Sequence, residues 1–296
     1  MSDTTRPVVV GVNGTEAAME AARWAAAIAD KFETSLHIVH AMPDSSHFLP
    51  DAAAAMLTAL IAERRESAET ILKTVEAAVR ARFGDLTITT TPFDDSATNV
   101  LTGLSRRAQL IVLGCDEVSP GPALLLGSTT VALTTHSSCP VVAWRGGIVT
   151  PTDQPITLGV DGERTGAETF RTAFMFADRL GVTLNAINAW PARYSLGGVE
   201  IPYPIDWDAL ETAQWDYIMS AVEPWSTKYP TVEVKYFVEP GGASQALLRH
   251  ATDSQLIVVG NRRRNLLAGA ILGSTSLNML HHCPVPVLWC HTSQNP

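Results

Sequence analysis

Two short runs, Gly127-Ser128-Thr129 and Gly273-Ser274-Thr275, join a residue without a side chain to two hydroxyls at the start of a helix-like segment. Ser276 lengthens the second run by one more hydroxyl. Each is preceded by a polar loop and, before that, by an apolar run of strand length that ends in a glycine, Gly114 or Gly260. Strand, loop and helix N-terminus together aim backbone N–H groups and the positive end of a helix dipole at one place, which suits an anion such as a phosphate. The two runs are copies of one stretch. Ala108–Val142 and Ser254–Leu288 overlay without a gap at an offset of 146, placing Gln109 on Gln255, His136 on His282 and Pro140 on Pro286. An internal repeat of this length bears on architecture as well as on chemistry.

A second set of residues repeats at an offset of 148. Gly11-Val12-Asn13 closes the first β-branched run, and Gly159-Val160-Asp161 closes its copy; Ala41 and Ala189 close the next runs. In an open parallel sheet, ligands sit beyond the carboxyl ends of the strands, where strand order reverses. Three ends therefore converge in each half. A carboxylate or amide at the first accepts from a ribose hydroxyl or an amino group. A small alanine at the second leaves room for a flat base. The loop after Val259-Gly260, or after Gly114, is left for phosphates. Neither the dinucleotide fingerprint nor a Walker A sequence is present.

The elements that must hold these residues alternate. In the first half the patterning predicts strands at Pro7–Val12, Ser35–Ala41, Leu86–Thr91, Leu110–Gly114 and Val141–Trp144, separated by helical spacing at Glu16–Asp30, Asp51–Arg82 and Ser96–Arg107. The second half predicts strands at Ile156–Val160, Val182–Trp190, Val232–Val238 and Leu256–Gly260, then a last strand around Val287–Trp289. Its helices are expected at Glu168–Leu180, Trp207–Lys228 and Ala243–Ala251. Strand–helix alternation implies right-handed parallel crossovers. The expected fold is α/β: two tandem domains, each an open, mainly parallel five-stranded βαβ sheet. Their bounds read as 1–146 and 155–296, with 147–154 as a Gly- and Pro-punctuated linker.

Composition narrows the partners. A formal net charge of −9 over 296 residues argues against nucleic acid or an anionic membrane. No stretch approaches the roughly 20 apolar residues of a membrane span. The opening MSDTTRPVVVGV runs into a strand without a basic, apolar leader, so a cytoplasmic protein is expected. Four cysteines without framework spacing are expected to stay as reduced, mostly buried thiols.

Each half resembles a universal stress protein domain, and the whole chain resembles a tandem member of that family. The family's ATP-binding pattern is Gly, two residues, Gly, nine residues, Gly, then Ser or Thr; Gly114 to Gly127 and Gly260 to Gly273 both have that separation. The resemblance implies a Rossmann-like, adenine-nucleotide-binding fold and a stress-response regulator rather than a turnover enzyme. It implies ATP, AMP or cyclic AMP as ligand, with Mg2+ an open question, and a homodimer paired through the last strands. Carried over by residue, it implies contacts from Gly159, Val160, Asp161, Ala189, Val259, Gly260, Arg262, Gly273, Ser274, Thr275 and Ser276. In the first half the matching positions are Gly11, Val12, Asn13, Ala41, Gly114, Gly127, Ser128 and Thr129.

Both copies depart from the pattern at its second glycine, where the first has Glu117 and the second Arg263. The acid stands beside Asp116 and repels a polyphosphate. The second copy reads Asn261-Arg262-Arg263-Arg264-Asn265, whose guanidinium groups pair with phosphate oxygens. With Asp161 retained where the first half has Asn13, the second half is the better site. Other readings of the same residues stand beside this one. Gly-Ser-Thr at a helix start also serves as an N-cap, Asp161 as a cap of the following helix, and the arginine run as a solvated surface. A nucleotide-free scaffold with decayed motifs is the competing function. Slow ATP hydrolysis has no identifiable base, a hydrolase triad lacks its base, acid and nucleophile elbow, and His281-His282-Cys283 with Cys290 does not make a zinc site.

Overall fold

The computed structural model describes residues 6–42, 54–115, 128–161, 165–190, 206–261 and 273–291. Along the chain, one compact unit gives way to another between Pro151 and Thr152.

The first unit runs β1 (Val8–Gly11), α1 (Glu16–Lys31), β2 (Leu36–Ala41), α2 (Ala54–Arg80), β3 (Ile88–Phe93), α3 (Ala97–Ser105), β4 (Leu110–Gly114), α4 (Ser128–His136) and β5 (Val141–Trp144). Its strands pair in parallel in the order β3-β2-β1-β4-β5. The second unit runs β6 (Ile156–Val160), α5 (Ala167–Leu180), β7 (Leu184–Trp190), α6 (Trp207–Lys228), β8 (Val234–Pro240), α7 (Ala243–Ala251), β9 (Leu256–Asn261), α8 (Ser274–His282) and β10 (Val287–His291). Its order, β8-β7-β6-β9-β10, is the same, and again every pair is parallel. In each unit the strand order reverses where the first strand meets the fourth, so β1 with β4, and β6 with β9, mark the ligand end of the sheet.

Helices cover the central strands, and their sequences show it. Val8, Val10, Ile111 and Val112 are fully buried, as are Ile156, Leu158, Ile257 and Val258, which continuous apolar runs require in a sheet covered on both sides. α1 begins where the Thr15 hydroxyl accepts from the Ala18 N–H at 3.3 Å, and it carries Glu16 in its first turn and Lys31 in its last. α5 stops at Gly181, which is left-handed at φ 68°, a conformation that glycine adopts without strain. Trp24 and Trp144 fill the first core; Phe174, Phe176 and Trp289 fill the second.

The outer strands depart from the patterning. Both β3 and β8 start and end two residues later than their apolar alternation predicts, carrying Pro92 beside His40 and Pro240 beside Trp190. Proline ordinarily argues against a strand. Here each lies on an edge strand, where the missing N–H removes no ladder bond. The expected linker also has a fixed end. The Gln255 side chain accepts from the Thr152 N–H at 2.9 Å and donates to the Thr152 and Gln154 carbonyls.

All four cysteines are free thiols; Cys139, Cys283 and Cys290 are buried. Burial pushes Cys139 and Cys290 up to about 12, so neither is a thiolate at neutral pH. His136, in the last turn of α4, reaches the Ala132 carbonyl through Nδ1 at 3.0 Å, as a helix-end histidine should. Among the tryptophans of the second unit, Trp225 stacks on Phe170 and Trp207 lies against Trp190.

Candidate functional site

In the second unit the carboxyl ends of β6, β7 and β9 open onto a cleft with about 660 Å³ of empty space, part of it open to solvent. Gly159 and Val160 line it from β6, Asp161 from just past the end of that strand, Ala189 from β7, and Val259 and Gly260 from β9. Thr275 and Ser276 of α8 close it from the helix side. These were all expected contacts. Gly273 and Ser274 stand at the start of α8, both exposed, and are not among the lining residues. Arg262 and Arg263 lie outside the described residues.

Backbone chemistry explains why these types sit here. A side chain at Gly159 would press on Leu247 at 3.3 Å, and one at Gly260 would meet the Thr169 hydroxyl at 3.2 Å. Either would fill space next to the cleft. The Val160 carbonyl at the end of β6 accepts from the Asn188 amide at 3.1 Å, and the Asp161 N–H donates to the Thr165 hydroxyl at 2.8 Å. Asp161 therefore leaves the strand with its backbone engaged and its carboxylate on the exposed rim. The next helix, α5, starts at Gly166 with no side-chain cap, so Asp161 is not its N-cap residue. α8 likewise starts at Gly273 without a side-chain cap, with the Leu277 N–H returning to the Gly273 carbonyl at 2.9 Å. The N–H groups of its first turn have no intrahelical acceptor.

Four lining residues, Thr165, Ile187, Ala243 and Leu247, were not anticipated. Ile187 precedes Ala189 by two and so faces the same way along a strand. Ala243 and Leu247 are one helical turn apart on α7, a spacing that reads equally well as core. That ambiguity hid them.

The matching positions in the first unit are arranged differently. The Asn13 side-chain oxygen accepts from both the N–H and the hydroxyl of Thr15, at 3.2 and 2.8 Å, which commits it to the start of α1. Val12 follows β1 with its carbonyl held by His40 Nδ1 at 2.8 Å, the counterpart of the Asn188 contact. A Cβ at Gly11 would lie 2.9 Å from Leu113, which stands where the second unit has the smaller Val259. Gly114 is tighter still: a Cβ there would collide with the Ala17 carbonyl and come within 2.7 Å of the Ala18 nitrogen. Ala41 ends β2 half-buried; Ser128 is exposed and Thr129 half-buried at the start of α4. Gly127 lies outside the described residues.

The sequence profile of the universal stress protein family matches residues 4–145 and, a second time, 154–291. The chain belongs to that family. Universal stress protein Rv2623 of Mycobacterium tuberculosis is 30% identical over 288 residues, covering 95% of each chain. A universal stress protein of Mycolicibacterium smegmatis is 28% identical over 292 residues, covering 97% of each. The crystal structure of a universal stress protein from Archaeoglobus fulgidus superposes with a TM-score of 0.73, covering 99% of this chain and 100% of its own, at 19% identity. At that identity the likeness establishes the fold. The universal stress protein fold is thus present twice, as two tandem Rossmann-like sheets with the same strand order. Among the described residues no helix is long and apolar enough to cross a membrane.

Proposed function

We propose that the second unit holds an adenine nucleotide, with the base over Ala189, the ribose toward Asp161 and the phosphates toward the first turn of α8. The observation that supports this reading is the cleft itself, lined by eight of the residues that the family pattern selects. Its chemistry fits the ligand. Gly159, Ala189 and Ala243 keep the floor low, Ile187, Leu247 and Val259 offer apolar surface to a ring, and one exposed carboxylate stands at the rim. A helix start without a side-chain cap suits phosphate oxygens. Arg262 and Arg263 follow β9 directly in sequence and supply cations that a phosphate pairs with. ATP, AMP and cyclic AMP share this chemistry, and Mg2+ would offset the charge of the longest of them.

On this reading the protein is a cytoplasmic, nucleotide-responsive stress regulator, dimeric through its last strands, that does not turn its ligand over. The first unit is the weaker site. Its Asn13 oxygen is engaged by Thr15, Leu113 crowds Gly11, and Asp116-Glu117 follow its fourth strand. The second reading, a nucleotide-free scaffold, is favoured by the departure that both halves share, Glu117 and Arg263 where the family pattern has its second glycine. Mass spectrometry of the purified protein for bound nucleotide, then calorimetric titration of ATP, AMP and cyclic AMP into stripped protein, separates the two. Binding that is lost in an Asp161→Ala, Gly273→Ala variant supports the regulator. No co-purifying nucleotide and no heat from any titrant leaves the scaffold.

A further inference from the structure

In the second unit a charged cluster that the first unit lacks adjoins two parts of the cleft's lining, Ala189 and the helix α7. Glu239, at the end of edge strand β8, sits beside Ala189 in the β7–β8 register. Its carboxylate accepts from Arg249 at 2.6 Å and lies 2.9 Å from His250 Nε2; both partners project from α7. The His250 ring also stands edge-on to Phe237 of β8, with centroids 4.6 Å apart. The pair is largely sheltered, with side chains 18% exposed for His250 and 23% for Glu239. α7 is the helix that gives Ala243 and Leu247 to the cleft.

The repeat supplies an internal comparison. Phe93 holds the place of Glu239, beside Ala41 in the β2–β3 register, and Leu104 holds the place of His250, eight positions into its helix as His250 is. Both pack against the apolar cluster of the first unit, and Gly103 stands where Arg249 does. An apolar contact in one copy is therefore an ionic one in the copy with the cleft. Packing alone does not require that exchange, since the apolar version is built into the same chain.

We propose that Glu239, Arg249 and His250 are positioning residues, a proton-responsive latch that ties α7 to the edge strand and tightens the cleft on its nucleotide when His250 is charged. The proposal rests on the nucleotide reading above. The latch acts through one contact. A charged imidazole beside a carboxylate is held more strongly than a neutral one, and the helix it holds bears a wall of the site. Glu239 is in place to receive it, since hydrogen bonds from His250 and Arg249 hold its carboxyl below the usual range. Among the described residues, few other charges bear on the pair. β6, β7 and β9 present none to α7, α8 carries His281 and His282 in its last turn, and Lys235 of β8 lies 3.9 Å from Glu233.

The test titrates ATP into the full-length protein at steps from about pH 8 to about pH 5, the window in which imidazoles charge. Wild type is compared at each pH with His250→Gln, which keeps a donor at the Nε2 position and cannot charge. Ionisation of the phosphate is common to both, so the ratio of their affinities isolates the protein's group. The expected ratio rises by about three- to fivefold toward acid, in line with one ion pair that keeps partial access to solvent. A Glu239→Phe, His250→Leu variant installs the contact types of the first unit, guards against a misfolded single variant, and should bind with no acid-side gain over His250→Gln. Parallel profiles for wild type and His250→Gln would overturn the latch while leaving the nucleotide site standing. Absence of binding at every pH would overturn both.

Discussion

Gly114 and Gly260 occupy one position of the repeat and answer to different neighbours. A methyl at Gly114 meets backbone, the Ala17 carbonyl and Ala18 nitrogen, which cannot swing aside; a methyl at Gly260 meets the Thr169 hydroxyl, which can. Gly114→Ala should cost about 1–3 kcal/mol in a urea unfolding midpoint, and Gly260→Ala distinctly less. Equal costs would mean that α1 yields as easily as a side chain. Thr15→Ala should cost about 1 kcal/mol, because Thr15 caps α1 and Asn13 engages both its N–H and its hydroxyl. The buried thiols carry a pH prediction whose sign follows from their shift. Burial raises Cys139 and Cys290 from an ordinary 9.0 to about 12, so both states are neutral below about 9 and the thiols cost nothing there. Above it the unfolded thiol ionises while the folded one does not. Stability should therefore fall between about pH 9 and about pH 12, and less steeply in a Cys139→Ala, Cys290→Ala variant after allowance for its lower baseline.

At the scale of elements, the sequence exposed those parts of the fold that follow from period and punctuation. Trp207–Lys228, Ala243–Ala251 and Leu110–Gly114 fall where the sequence places them: Ala243–Ala251 by its apolar period, Leu110–Gly114 by a continuous apolar run that ends in glycine, and Trp207–Lys228 by Asp206 at its start and Pro230 beyond its end. The edge strands β3 and β8 ran on past their patterns, since an edge tolerates Pro92 and Pro240 and periodicity carries no information about which strand is an edge. The lining of the cleft was legible where strand ends define it, at Gly159, Asp161, Ala189 and Gly260. It was illegible where a helix side supplies it. Leu247 is an apolar residue on an apolar helix face, and its counterpart Leu101 is plain core. Only tertiary packing separates the two. The same limit applied to Asn13: its amide was read as a ligand group from its position, yet a threonine two residues on provides a nearer partner. Replacing Leu247 with Ala should therefore widen the cleft as well as open a core cavity. It should weaken nucleotide binding and cost about 2–5 kcal/mol of stability in the same variant.

The whole molecule is an asymmetric repeat. Two copies of one sheet share strand order, helix order and the glycines at their strand ends, while Leu113 for Val259, Asn13 for Asp161 and Glu117 for Arg263 separate them in chemistry. On the proposed reading such a chain would bind one nucleotide, in its second half, and keep the first as framework. Calorimetric titration of ATP into stripped protein, with Ala189→Trp and Ala41→Trp variants alongside, tests that most directly. A tryptophan at either position fills the space beyond the second strand of its own unit and leaves the other untouched. One site per chain is expected, abolished by Ala189→Trp and preserved in Ala41→Trp. Binding that survives Ala189→Trp and disappears in Ala41→Trp, or two equal sites in the wild type, would contradict it.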